Sequence, residues 1–469
     1  MKKNNTLKVL LIAILFTYLL TWILPISYYS SGLYTDARYP AGLFDILNYP
    51  TLTFYYFGTM ALYVLVVGAF YQVFNKTGVL RNVCDKIAKL FKGKEIVFFI
   101  SVVVLLSILV AFCGFTYELL FILPFLTALI LLMGYDRMTV AMTLIGSIVT
   151  GFIGNLFGKS ISGVYNESLG TAYTDLIWFK IALLVLGMVI LIFNIMHYIK
   201  KTDFKKDDAK ELLPEKITIK NKKGKIKSNW PAIVVFDLIL VLMILGMLDF
   251  SGAFGIKIFE NFHNTVIGFK INEYAIFSKI LGSSITNLGK WTTNEFMAIM
   301  VLATMLLAII YRIKLSDLFE DYKEGAKKFA LSALLMIIAY TVLITVSNHP
   351  FLLTILNPLM KMTDGFNSVT LSISMFVASI FNIDAYYTTS TMLPYVMSII
   401  TDTDVYPFVG FISQVMQGLA MLIAPTSVVL LGVISYLKIN YTTWIKNIWK
   451  MFLELFILSF ILFIIINLI

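Results

Sequence analysis

Two short polar breaks inside apolar runs each carry one carboxylate. The first, Cys113-Gly114-Phe115-Thr116-Tyr117-Glu118, separates apolar arms at 96–112 and 119–133. The second runs from Asn382 through Ile383, Asp384, Ala385, Tyr386, Tyr387, Thr388 and Thr389 to Ser390, between arms at 368–381 and 391–400. Irregular backbone survives in hydrocarbon only when it is packed in protein or lines a wet cavity. An ionisable group at that depth is costly enough to mark a functional site. Two further apolar runs are interrupted, one by Gly151, Gly154 and Gly158 around Asn155, the other by Ala424-Pro425-Thr426-Ser427. Helix ends at such breaks expose unpaired N–H groups and about half a positive charge, which together cradle a carboxylate. The side chains of Thr116, Asn155, Asn382, Thr388, Thr389, Ser390, Thr426 and Ser427 can contact substrate or a cation. Glu118 and Asp384 add negative charge that a pure anion site would not want. They point to a coupling proton or Na⁺, or to a substrate amine, and hence to an amino acid (a basic one included) or a small peptide.

Each of these residues also has a plainer reading. Glu118 can pack as a neutral acid against a carbonyl, and Asp384 can cap a helix starting near Tyr386. The hydroxyls can do no more than satisfy local backbone. Gln414 and Gln417, one turn apart, face either the cavity or a neighbouring helix. His197, His263 and His349 sit in loop-like or span-end contexts that suit neither a ligand nor a proton relay. Cys84 and Cys113 do not form a disulfide framework. There is no Walker lysine motif, zinc-spaced His/Cys set or nucleophile elbow, which argues against a pump driven by ATP and against an enzyme. No cofactor is expected beyond the coupling ion.

The elements that must position these groups are membrane helices. The chain has 469 residues, 59% hydrophobic and only 14% charged, against about 25% charged in a soluble protein. An all-α polytopic membrane protein follows, with about nine transmembrane helices and two re-entrant hairpins. The spans read as 7–26, 54–74, 138–158, 176–198, 231–249, 295–311, 329–346, 406–436 and 448–468. Bulky residues at Trp22–Pro25 leave no small-residue cleavage site, so the first run is an uncleaved span. The hairpins occupy about 96–134 and 368–400, since each arm is short for the roughly 20 residues a crossing needs. Residues 250–290 resist placement, as an outer loop with a surface helix or a partial span.

Net charge is +10, and 29 of the 37 Lys and Arg fall in six loops assigned to one side. Positive loops stay in the cytoplasm, so the basic balance reports topology rather than nucleic-acid binding. It puts the N-terminus inside, in the cytoplasmic membrane. The Lys-rich stretch 199–229 is then a solvated cytoplasmic linker, and Arg312–Lys328 a charged inner loop.

The order span, span, hairpin, broken span, span occurs twice, in 1–198 and 291–469, joined by 199–290. An offset of 270 residues lays Pro124 on Pro394 and Gly154-Asn155 on Ala424-Pro425. One hairpin enters from inside and the other from outside, so the repeats are inverted. This is a secondary-transporter architecture with its site near the midplane.

Several short stretches, in order over nearly the whole chain, resemble the YfcC-type family, which is related to anaerobic carriers of four-carbon dicarboxylates within the ion-transporter superfamily. They are LTWILP at Leu20–Pro25, FNKTGVL at Phe74–Leu80, GYDRM at Gly134–Met138, the set Trp291/Asn294/Glu295, EGAKK at Glu324–Lys328 and IAPTS at Ile423–Ser427. The resemblance implies two inverted repeats with re-entrant hairpins, ion-coupled movement of organic anions, amino acids or peptides, and substrate contacts from the tips and broken helices. It also makes a homodimer an expectation. Where family members show an acidic pair before the second arm of the first hairpin, Tyr117 precedes Glu118 here, and NIDAYYTTS replaces a Ser/Gly-rich second tip. The expected function is an ion-coupled secondary transporter or exchanger of small carboxylate-bearing solutes. The alternatives are a four-carbon dicarboxylate carrier and, in another class, a channel.

Overall fold

A computed structural model describes residues 5–30, 33–37, 39–202, 204, 209–217, 228–271, 274–282, 285–363 and 365–468. The first half opens with α1 (Thr6–Ile23) and an antiparallel ribbon of β1 (Ile26–Ser30) and β2 (Leu33–Ala37), Ile26 opposite Ala37. Then follow α2 (Leu43–Lys76), α3 (Val79–Leu90) and α4 (Glu95–Cys113). A 3-10 turn (Tyr117–Phe121) leads to α5 (Leu123–Leu132) and α6 (Arg137–Ile153). A π-helical turn (Lys159–Gly163) runs into α7 (Val164–Leu169), and α8 (Ile177–Lys201) closes the half.

Between the halves lie α9 (Trp230–Met247), α10 (Ile258–Gly268), the short pair β3 (Lys270–Ile271) and β4 (Tyr274–Ala275), and α11 (Ile276–Leu281). The second half holds α12 (Thr293–Tyr311), α13 (Leu315–Asn348), α14 (Leu352–Met360), α15 (Ser368–Phe381) and α16 (Ala385–Tyr387). A second π-helical turn (Thr388–Met392) precedes α17 (Leu393–Ile399), α18 (Tyr406–Ile423), α19 (Val428–Tyr436) and α20 (Tyr441–Leu468).

Local chemistry fixes many of these boundaries. Asp136 starts α6 by accepting from Thr139 N at 2.9 Å, and Asn367 starts α15 by accepting from Val369 and Thr370 N. Thr292 and Glu295 form a reciprocal capping box on α12, which satisfies N–H groups that a helix start leaves without partners. Pro124 and Pro394 lie at the first positions of α5 and α17, where the missing N–H costs nothing.

Among the described residues, nine helices are long and apolar enough to cross a membrane. They are not quite the expected set. The first arm of the expected hairpin, α4, has 19 residues and qualifies by length, about 28 Å at 1.5 Å per residue. The segment expected at 138–158 stops at Ile153 instead, because the backbone unwinds at Gly154. The broken run Thr403–Tyr436 counts once, with its break between α18 and α19.

Two other expectations shift. Helix α2 begins at Leu43 rather than 54 and carries Pro50 inside it. The charged segment Arg312–Lys328 is mostly the start of α13 and not a loop. Its charges lie on exposed positions while Asp321 and Gly325 face α2. Residues 250–290 hold only short helices and the β3–β4 pair among those described. Most of 203–227 lies outside the described residues, but Glu211 is tied to Lys438 at 2.8 Å and Arg137 at 3.6 Å. Those two cations hold the Glu211 carboxyl below the usual carboxylate range, the hydrogen bond from Lys438 being the main cause.

Helices α2 and α13, both of 34 residues, run antiparallel through the centre. Their contacts proceed from Tyr49–His349 (2.5 Å) through Thr53–Thr341 (3.4 Å) to Lys76–Asp321 (3.5 Å). At Gly68 and Gly325 the backbones touch, so that a Cβ on either would strike the other's carbonyl oxygen. Small residues permit this approach where lipid tails provide no hydrophobic drive between helices.

Candidate functional site

The first break is built by the carbonyls that α4 leaves unpaired at its end. Gly114 takes φ +76°, which favours glycine, and turns the chain out of α4. The unwound stretch after α6 then supplies the missing donors. Leu156 N and Phe157 N donate to Ala111 O at 2.8 and 3.0 Å. Asn155 Nδ2 donates to Val110 O and Ser160 Oγ to Gly114 O, both at 2.7 Å. Tyr63 on α2 donates to Glu118 O at 2.6 Å and pins the turn from the other side. The far ends of the arms also meet: the rings of Phe99 and Tyr135 are 5.3 Å apart.

Asn155 is fully buried, and its Oδ1 also accepts from Gly158 N (3.0 Å) and Ser162 Oγ (2.7 Å). Asn155→Ala is expected to lower stability by about 2 kcal/mol, because it leaves the buried Gly158 N–H without its acceptor and removes the side-chain bonds to Val110 O and Ser162 Oγ. A fall in the apparent Tm of purified protein in detergent checks this. An unchanged Tm with lost solute binding would instead mark Asn155 as a contact to solute.

The second break repeats part of this chemistry. Thr426 Oγ1, in the gap between α18 and α19, donates to Ile380 O at 2.7 Å. Ile380 stands 270 residues after Val110, and the gap stands at the same offset from Gly154-Asn155. Asn382 Oδ1 accepts from Asp384 N, and Asp384 Oδ1 accepts from Tyr387 N, each at 2.9 Å. Asp384 thus caps α16. Thr388, Thr389 and Ser390 spend their hydroxyls on carbonyls three or four residues back, a local pattern common for such residues in helices. Ser427 Oγ accepts from Leu430 N and starts α19.

A cavity of about 380 Å³ lies between the breaks. Of the expected residues, Thr116, Glu118, Asp384 and Ser427 border it. Asn382 and Thr426 border a small neighbouring pocket, and Asn155, Thr388, Thr389 and Ser390 border neither. Glu118 Oε2 accepts from Thr116 N at 2.8 Å and Thr116 Oγ1 at 3.2 Å. Among the described residues neither Glu118 nor Asp384 forms an ion pair. Two acids from opposite halves of the sequence therefore share one cavity without a basic partner on either.

The rest of the lining was not among the expected site residues. Lys159 and Ser160 come from the π-helical turn, Lys290 to Thr293 from the approach to α12, and Tyr340 from α13. Trp291 could have been found from its family-like setting, and Lys159 from the run GFIGNLFGKS. Tyr340 and Lys290 carry no local signal, since packing alone brings them here. Gln417 borders the cavity, whereas Gln414 Nε2 donates to Phe152 O and Ile153 O. Tyr165 donates to Gln417 Oε1 at 2.6 Å, and Gln417 Nε2 is buried with no hydrogen-bond partner.

The remaining candidates lie elsewhere. His349 joins Tyr49 and Tyr39 O across α2 and α13, and His197 stacks on Phe193. Neither they nor His263 border the cavity. Cys113 borders it and Cys84 does not; both are free and buried. Burial pushes the Cys84 thiol, on the amphipathic α3, up to about 12, so it is inert as a nucleophile near neutral pH. No group of three His, Cys, Asp or Glu among the described residues is placed to hold a metal ion.

Comparison with known proteins adds a family. A model described as C4-dicarboxylate anaerobic carrier (DcuC) matches residues 4–468. The solved structure of the YdaH transporter of Alcanivorax borkumensis is similar over 99% of each chain, with 14% identity and a TM-score of 0.42. No curated protein sequence matches the chain.

Proposed function

This chain belongs to the C4-dicarboxylate anaerobic carrier family, and we propose that it works as an ion-coupled secondary transporter of small carboxylate-bearing solutes. It is a membrane transporter; the coupling and the solute are the proposal. The observation that carries it is the pair Glu118 and Asp384, bordering one cavity without ion pairs. An unpaired carboxylate in a largely apolar site needs a positive partner. A coupling proton or Na⁺ provides one, and a solute amine provides another. This favours amino acids or small peptides as cargo. The cavity's size falls within the range of small-molecule sites, about 300–1,000 Å³.

In this reading the two breaks are the tips of re-entrant hairpins in inverted repeats. The paired bonds onto Val110 O and Ile380 O, one offset apart, support it. Alternating access would rock one repeat against the other around the cavity, with the N-terminus in the cytoplasm.

A second reading, a four-carbon dicarboxylate carrier, is favoured by the family match over residues 4–468. Counterflow in proteoliposomes separates the two. Loaded arginine, ornithine or dipeptides are expected to drive uptake of the labelled solute, and succinate is not. Succinate exchange without amino-acid exchange would make the dicarboxylate reading correct. Saturable counterflow is itself expected; ohmic single-channel current would make the protein a pore.

A further inference from the structure

A second cavity, of about 430 Å³, lies beside the first and is lined by Lys159, Gly163, Asn166, Glu167, Tyr173 and Asp249, among others. Glu167, Ala172, Thr174 and Gly252 on its rim are exposed, so it opens to solvent. Lys159 is the one residue that borders both cavities among those described. Its ammonium forms no hydrogen bond or ion pair among the described residues, although acids border each cavity. By contrast Lys290, the other lysine of the first cavity, pairs with Glu260 at 3.4 Å.

The backbone around Lys159 is built for this position. Gly158 packs against Gly114 at the first tip, and Lys159 opens a π-helical turn. Such turns widen a helix and concentrate at functional sites. Gln417 borders the first cavity, and its Nε2 is buried there without a partner, the amide being held by Tyr165 at its other end. A free ammonium and a spare amide N–H suit one carboxylate.

We propose that Lys159, at the threshold between an entry vestibule and the inner cavity, is the cation that takes the solute's carboxylate, with Gln417 Nε2 as its second donor. This rests on the transport reading above and deepens it. Counting formal charge, Glu118 and Asp384 against Lys159 leave the unpaired lining at −1. One monovalent cation then balances the site with a zwitterion bound. A dicarboxylate would need three.

The test uses the full-length protein in proteoliposomes. Lys159→Met is expected to raise the half-saturation concentration for the exchanged solute roughly tenfold or more, with Lys159→Arg recovering most of it. Inhibition by decarboxylated analogues (agmatine for arginine, putrescine for ornithine) is expected to stay unchanged in Lys159→Met. Equal loss for acid and amine, or no change for either, would overturn the carboxylate role. Separately, Lys159→Cys is expected to react with a membrane-impermeant thiol reagent, since the native cysteines are buried. No labelling from either side of the membrane would overturn its threshold position. If wild-type protein exchanges nothing, the transport reading fails, and the labelling still judges Lys159.

Discussion

Glu118→Gln is expected to abolish ion-driven uptake while the protein still reaches the membrane and survives purification. The substitution keeps the side chain's shape, and the acceptor oxygen facing Thr116 N can remain. What goes is the negative charge. If that charge binds the coupling cation or the solute amine, the loss is about 2 kcal/mol, or roughly 30-fold in affinity. Coupling falls further, because a carrier that no longer binds its ion has no means of using the gradient. The measurement is uptake with and without an imposed proton or Na⁺ gradient, beside counterflow without one. Lost gradient-driven uptake with surviving counterflow would assign Glu118 to the ion. Loss of both would assign it to the solute. Gradient-driven uptake at the wild-type rate would end its role in the mechanism.

The contrast between Glu118 and Thr388 shows how far the chain could be read before folding. A carboxylate in a polar break between apolar runs stands out because burying it is expensive, so cost itself is a signal. Glu118 and Asp384 were readable on that ground and border one cavity. Hydroxyls carry a smaller cost, because a helix carbonyl three or four residues back can satisfy them. Thr388, Thr389 and Ser390 do that, and nothing local distinguished them from Thr116, which borders the cavity. Tyr340 was invisible, and Gln417 could not be told from Gln414, for another reason. Each sits within an ordinary apolar helix, and only the antiparallel packing of α2 on α13 or the position of α18 turns it inward.

Helix limits failed in a similar way. The start of α13 is polar on most of its face and reads as a loop. It stays helical because Asp321 pairs with Lys76 and Gly325 meets Gly68 on α2. Those tertiary contacts lie some 250 residues away in sequence and leave no local periodicity to detect. By contrast the glycine-rich break after α6 was visible, since Gly151, Gly154 and Gly158 lower helix propensity together.

The largest structural effect is expected at Gly114. Its φ of +76° is the left-handed region, which costs an L-residue about 1–2 kcal/mol and a β-branched one more. A Cβ there would lie 2.5 Å from Ser160 Oγ and 3.1 Å from Gly158 Cα. The serine hydroxyl can rotate away, but then Gly114 O loses its donor. The glycine backbone cannot yield, because Leu156 and Phe157 hold it onto Ala111. Gly114→Val therefore combines strain, overpacking and a lost hydrogen bond, about 3–5 kcal/mol in all. The turn after α4 must lift off the unwound stretch, carrying Glu118 away from Asp384, so transport should vanish together with a large drop in apparent Tm. Gly114→Ala should be milder in Tm yet still impair uptake, since it keeps the strain and most of the clash. A Gly114→Val protein that melts and transports like wild type would show that this junction does not hold the site together.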